Sequence, residues 1–172
     1  MSQYKIFETE RLIIRPITVE DADFILQLFN TPKWLENIGD RNIKSVEDAK
    51  DYILSKMQPQ LERLGYANYS LSRKIDNVKI GTCSLYDREG LEGIDIGFAL
   101  LPEYEGQGFA FEAAERIKKA AFNEFGIKSI VAITTKENVA SQGLLKKLGL
   151  NFTDTVRLPN AAEELLLFKI EK

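Results

Sequence analysis

Two glycines standing between a strand and a helix constrain this chain more than any other feature. In "LPEYEGQGFAFEAAERIKKAAF" (101–122) an apolar strand runs into Gly106-Gln107-Gly108, and the helix starts only after them. Glycine in a helix interior costs about 1 kcal/mol relative to alanine, so a pair at the helix mouth marks a place where bare backbone is required. A helix N-terminus has unpaired N–H groups and a partial positive charge. With glycine in front of it, an anion can approach the main chain closely, which makes a phosphate site. The competing reading is a tight strand-to-helix turn without a ligand, and the glycines by themselves do not separate the two.

Around this loop the pattern is strand, helix, strand. "GIDIGFALL" (93–101) alternates, the helix 109–125 carries Ala110, Ala113, Ala114, Ile117, Ala121 and Phe125 on one side, and "KSIVAIT" (128–134) reads as a buried strand. Such a crossover is parallel and right-handed. Upstream, "ANYSLSRK", a turn at Asp76-Asn77 and "KIGTCSLYD" form an antiparallel meander with strand 93–101. "RLIIRPI" (11–17) is a first strand, and 151–157 with 164–171 a final pair. The fold class is therefore a mixed α/β (α+β) sheet, mostly antiparallel, with one parallel β-α-β crossover.

Thr18 with Glu20 and Asp21 signals a helix start, followed by Phe24, Leu28 and Phe29 on one face. Residues 30–42 read as irregular, with Pro32 and Gly39 as breakers and Trp34 as an anchor. Ser45 with Asp48 caps a second helix, striped by Val46, Ala49, Ile53 and Met57, which Pro59 kinks or ends. A short helix runs from about 139 to 148, ended by Gly149.

The 172 residues suit one domain, 1–172, with no repeat or linker to divide it. A net charge of −3 without a dense Lys/Arg block argues against nucleic acid as partner. Apolar runs are too short to span a membrane and the N-terminus is too polar for a signal peptide. Cys83 is the only cysteine, which excludes an internal disulfide and points to a cytoplasmic location. Histidine is absent altogether, so Ser-His-Asp, Cys-His and His-ligated zinc chemistry are excluded, and no metal is expected.

Two named phosphate loops fit poorly. A P-loop ends in Gly-Lys-Ser/Thr, where this chain has Gly108-Phe109-Ala110, and a Rossmann fingerprint needs a third glycine where Phe111 stands. "LLPEYEGQGFAFEA" instead resembles the acyl-CoA loop of the GNAT acetyltransferases, Arg/Gln-x-x-Gly-x-Gly/Ala. "ETERLIIRPIT", "EDADFILQLFN", "IGFALLPEYEGQGFAFEA" and "KENVASQGLLKKLGLNF" fall in that family's order and spacing. The likeness is greatest to the branch that includes the ribosomal-protein N-terminal acetyltransferases. Gly106, Gly108 and Ala110 occupy the small positions, while Glu105 departs from the usual Arg or Gln.

The resemblance implies a GNAT-like fold and acetyl-CoA as cofactor, with transfer to a primary amine by direct attack in a ternary complex. Main-chain groups from Glu105, Gly106, Gln107, Gly108, Phe109 and Ala110 would hold the diphosphate. Phe98, Ala99 and Leu100 would run along the pantetheine, with the Leu100 N–H aimed at the thioester oxygen. Asn138 would bind pantetheine and Ser141 would stand beside the sulfur, since Leu145 occupies the place of a tyrosine acid found in many members. Capping alone also explains Asn138.

For the base, Asp95 lies on the strand leading to the loop, on the face opposite Ile94, Ile96 and Phe98, with Glu92 just before it and a water relay as the connecting element. A solvated strand charge is the alternative. Glu103 and Tyr104 are weaker candidates. Lys146 and Lys147 are placed to meet adenosine phosphates or simply to face solvent. Trp34, Glu36 and Arg41 lie where a substrate wall belongs by analogy, and Cys83 reads as core. A non-catalytic acyl-CoA sensor or scaffold is the rival function. The acceptor stays open among protein N-termini, small-molecule amines and amino sugars, as does a homodimer.

Overall fold

Alternating burial along the strands builds a sheet with two different faces. The computed structural model describes residues 3–159 and 161–172. Its strands are β1 (Phe7–Glu8), β2 (Leu12–Pro16), β3 (Asn68–Arg73), β4 (Lys79–Tyr86), β5 (Ile94–Leu100), β6 (Ser129–Thr134), β7 (Asn151–Val156) and β8 (Leu165–Glu171). They lie in the order β1-β2-β3-β4-β5-β6-β8-β7. Every neighbouring pair is antiparallel except β5 with β6. At the β3–β4 turn Asn77 takes the left-handed conformation (φ 58°), and the Asp76 carboxylate accepts from the Val78 N–H at 3.2 Å.

On one face lies α5 (Phe109–Asn123), which buries Ala113, Ala114, Ile117, Ala120 and Ala121. Small side chains let the helix sit close to Leu12, Ile14, Leu71, Leu85 and Ile96 of the sheet. The opposite face carries α1 (Ala22–Phe29), α2 (Pro32–Asn37) and α3 (Val46–Tyr52), with Ile25, Leu28, Phe29, Ile53 and Leu101 at their centre, while Leu64 of α4 (Gln58–Leu64) packs against the core on the α5 side. Alternation assigns β5 to both cores: Ile96, Phe98 and Leu100 pack toward α5, Ala99 toward the other cluster.

Four details depart from the sequence reading. The edge strand β1 pairs with β2 and was not expected. The segment 30–42 is not wholly irregular: Thr31 accepts from the Trp34 N–H at 3.4 Å and Pro32 stands in the first turn of α2, a start signal masked by the reading of Pro32 as a breaker. Pro59 does not end the helical run, which continues to Leu64. A π turn at Ile53–Met57 joins α3 to α4 and resets the hydrogen-bond register, so that Pro59 falls in a first turn where its missing N–H is harmless. Finally, Ser45 does accept from the Asp48 N–H, but Asp48 reaches back to Lys44 rather than to Ser45.

Asp21, read as a helix-start residue, is fully buried. It accepts from Arg15 at 2.8 and 3.0 Å and from the Thr18 N–H at 2.9 Å, and it pairs with Lys79 at 2.6 Å. Burial pushes its pKa up, but the donors more than reverse this and hold it below the usual carboxylate range. The pair fastens the entry of α1 to β2 and β4.

Gly81 marks a close approach of β4 and β5: a Cβ there would stand 2.2 Å from the Ala99 carbonyl oxygen. Gly81→Ala therefore forces β5 away from β4. We expect a loss of about 3 kcal/mol in urea unfolding; a loss under 1 kcal/mol would mean that β5 yields freely.

Candidate active site

The parallel pair is short, and this makes the site. Register between β5 and β6 covers only Ile94↔Ile130 and Asp95↔Val131; beyond these the strands diverge into an open wedge. The Leu101 N–H donates to the Ile80 carbonyl at 2.8 Å, and β4 pairs with β5 through Thr82↔Ala99 and Ser84↔Gly97. Main-chain groups of a strand alternate in direction, so those of Ala99 and Leu101 serve β4, whereas those of Ile96, Phe98 and Leu100 face the wedge. Phe98 and Leu100 are thus placed to offer backbone groups there. Ala99 is not, and contributes only its methyl on the other face.

At the open end of the wedge a 3₁₀ turn (Pro102–Tyr104) leads into the glycine loop. Gly106 and Gly108 both adopt left-handed conformations, φ 73° and 83°. The Glu105 N–H is already committed to the Pro102 carbonyl at 3.2 Å, and the first bond of α5 is Glu112 N–H to the Gly108 carbonyl at 3.1 Å. Between them, no group among the described residues accepts from the N–H groups of Gly106, Gln107, Gly108, Phe109, Ala110 or Phe111. Six successive donors at a helix mouth match the needs of a diphosphate.

Relative to the sequence reading the array is shifted by one residue. Glu105 drops out because the 3₁₀ turn closes on its N–H, and Phe111 joins because, with Gly108 as N-cap, it lies in the first turn of α5, where N–H groups have no carbonyl four residues back within the helix. The Glu105 carboxylate forms an ion pair with Lys33 of α2, a contact with no signal in the sequence. Gln107 folds its side-chain amide onto the Glu103 carbonyl at 3.1 Å, and Tyr104 lies under the Arg73 guanidinium at 4.8 Å.

Across the wedge, β6 ends at Thr134 and α6 (Val139–Lys147) begins. Asn138 caps it, its carbonyl oxygen accepting from the Ser141 N–H at 3.2 Å; the Asn138 NH₂ and the Ser141 hydroxyl have no partner among the described residues. Leu145 is buried core. Lys147 rests over the Phe111 ring at 4.2 Å, and Lys146 is exposed.

Asp95 is not a solvated charge. It is 5% exposed and accepts from Arg88 Nε at 2.8 Å, with the guanidinium over the Tyr86 ring at 4.9 Å. Burial pushes its pKa up to about 6, opposed by the charge and hydrogen bond of Arg88. Arg88 was missed because nothing in the sequence ties residue 88 to residue 95. On the neighbouring strand lies a groove of about 460 Å³ lined by Gly90, Glu92, Val131, Asp154, Leu167 and Lys169, with Asp95 itself not in its wall. Val131 is the register partner of Asp95, which puts both on the face away from α5. On that face too, Trp34 stacks on Phe29 at 3.8 Å, with its buried Nε1–H lacking a partner among the described residues; Glu36 is exposed and Arg41 half-buried. Cys83 is buried, its thiol pushed up to about 12 by burial, and is inert.

Comparison with known proteins gives one answer. A family model described as an acetyltransferase (GNAT) domain matches residues 11–151. The N-acetyltransferase YoaA of Bacillus subtilis (strain 168) is 30% identical over 147 residues, which is 85% of this chain and 82% of that protein. The N-acetyltransferase p20 of Bacillus licheniformis is 32% identical over 143 residues, 81% and 79% of the two chains. Among solved structures, the ribosomal-protein-S5-alanine acetyltransferase of Vibrio fischeri superposes with a TM-score of 0.81 at 22% identity, covering 97% of this chain and 96% of that one. A ribosomal L7/L12 alpha-N-protein acetyltransferase in complex with coenzyme A gives 0.83 at 18% identity, covering 97% and 98%.

Proposed function

This chain belongs to the GNAT family of acetyltransferases, and from that membership we propose that it acetylates a primary amine directly, in a ternary complex with acetyl-CoA. One observation carries the reading: six N–H groups, 106–111, without a partner among the described residues stand at the open end of the β5–β6 wedge. These would hold the diphosphate, and the wedge-facing backbone of Phe98 and Leu100 would hold the pantetheine.

Acetyl-CoA supplies a thioester, whose thiolate leaves well because thiols ionise near ~8.5. The chain has three tasks. The Leu100 N–H, fixed in β5, donates to the thioester oxygen, where negative charge develops. Asp95, ionised above about pH 6, accepts a proton drained from the incoming ammonium through water; a lysine-like amine is otherwise protonated up to ~10.4. Ser141, its hydroxyl open at the start of α6, returns a proton to the sulfur or orients the water that does so. The acceptor approaches over the face bearing Asp95, Trp34 and the Glu92 groove. We place the reaction in the cytoplasm; no helix among the described residues is long and apolar enough to cross a membrane.

The test is thiol release from acetyl-CoA with a panel of amines, with mass spectrometry of the acceptor. Two structural neighbours are named as ribosomal-protein acetyltransferases, which supports putting peptides with free N-termini first, then polyamines and amino sugars. At least one acceptor gains one acetyl group with stoichiometric thiol. Tight CoA binding without turnover on any amine would support a sensor instead. Ser141→Ala lowers kcat about tenfold, with the KM for acetyl-CoA within twofold, because the thiolate needs only modest acid help; an unchanged kcat would remove Ser141 from the chemistry.

A further inference from the structure

The segment "ETERL" (8–12) takes no part in the chemistry above, yet three of its groups converge on one carboxylate in the first turn of α5. Thr9 Oγ1 donates to Glu112 Oε1 at 2.5 Å, the Arg11 N–H to the same oxygen at 2.8 Å, and Arg11 Nε to Oε2 at 2.7 Å. The other end of the guanidinium donates from Nη1 to the Gln107 carbonyl at 3.0 Å. Its plane lies 4.1 Å over the Phe109 ring, which is itself buried.

We propose that Arg11 is a positioning residue for the diphosphate of CoA: it fixes the peptide between Gln107 and Gly108 and cancels the carboxylate charge at the mouth of α5. The inference rests on the reading of 106–111 as the diphosphate site. In a trans peptide the C=O and the following N–H point in opposite directions. Holding the Gln107 carbonyl toward Arg11 therefore turns the Gly108 N–H away from it, out of the protein. Glycine at 108 lets this peptide rotate easily, so an external clamp is needed to keep the donor aimed.

The second task is electrostatic. A glutamate in the first turn suits the helix dipole, but it has the same sign as a diphosphate bound at that end. Burial pushes the Glu112 pKa up, while Thr9, the Arg11 N–H and the Arg11 guanidinium more than reverse this; the carboxylate stays ionised and is matched by Arg11. What is left at the helix mouth is the array of N–H groups. Lysine would restore the charge without the fork that reaches Glu112 and Gln107 together.

The experiment compares two ligands on the whole protein: CoA, titrated calorimetrically, and pantetheine, which lacks the diphosphate and adenosine, titrated by NMR. Arg11→Gln raises the Kd for CoA about 30-fold, the effect of losing one charge-assisted contact to the loop, and leaves that for pantetheine within twofold. Arg11→Lys recovers only about threefold of this loss. Equal weakening of both ligands in both variants would make Arg11 a structural residue only and overturn the proposal, as would full rescue by lysine. If the unmutated protein binds CoA no better than pantetheine, the loop itself is not the diphosphate site and the brace falls with it.

Discussion

Gly108→Val weakens CoA binding about 100-fold or more while leaving the sheet folded. Gly108 sits at φ 83°, a conformation that β-branched residues adopt only as outliers and at a cost of about 1–3 kcal/mol. Its Cβ would also stand 3.3 Å from Arg11 Nη2, so the new side chain pushes on the group that clamps the loop. The strain is relieved most cheaply by turning the 107–108 peptide, which takes the aimed donors with it. Loss of two charge-assisted hydrogen bonds at about 1.5–3 kcal/mol each accounts for the expected effect. Gly106→Ala is the milder comparison: its φ of 73° is strained for alanine, but a Cβ there meets nothing within 4 Å. Calorimetric titration of both variants with CoA gives the order wild type, Gly106→Ala, Gly108→Val. Equal affinities across the three would mean that the loop does not touch the cofactor.

Acetyl transfer falls on the acid side with a midpoint of about pH 6, and Asp95→Asn removes that limb while lowering kcat about 100-fold. The midpoint is the raised pKa of Asp95, and the loss is at the low end of what general bases contribute. Arg88→Met moves the limb upward, because the departing cation had favoured the charged form. Stability moves in the opposite sense. The folded pKa of Asp95 lies above its unfolded value near ~3.9, so the native state holds this proton more tightly. Ionised Asp95 works against the fold above about pH 6, and that penalty is relieved as pH falls from about 6 toward 4. Asp21 and Glu112 have lowered pKa values; their stabilisation is present above the ordinary carboxylate range and is lost as pH falls through that range toward their lowered values. A fall in rate at pH 5.5 with no fall in the thermal midpoint therefore identifies titration of the site, whereas parallel loss of rate and folded signal would assign the limb to unfolding.

Much of the fold was legible in local chemistry. The alternation of β3 to β5, the left-handed Asn77 and the alanine stripe of α5 are each encoded within a few residues, and the expected crossover is the β5-α5-β6 unit of the structure. Elements that depend on distant partners were not. β1 is two residues long and exists only because β2 is beside it. The π turn at Ile53–Met57, which precedes Pro59, has no signature in the sequence pattern of the helix.

The site divides in the same way. The loop, the strand before it and the cap at Asn138 are contiguous motifs, and a resemblance carried by those motifs pointed to them. The partners that set their properties are remote: Arg88 for Asp95, Lys33 for Glu105, and Arg11 with Thr9 for Glu112, about a hundred residues apart in the last case. The 3₁₀ turn that engages the Glu105 N–H has no signature in the residues around it, so the sequence leaves that group among the loop donors.

The proposed grip on the cofactor depends on the amide groups of residues 106–111, and an NMR titration that follows them individually is the most direct test. CoA added at physiological salt shifts these six resonances together with those of Phe98 and Leu100, while pantetheine shifts only the latter two. Binding of CoA that left residues 106–111 unmoved, or no binding at all, would contradict it.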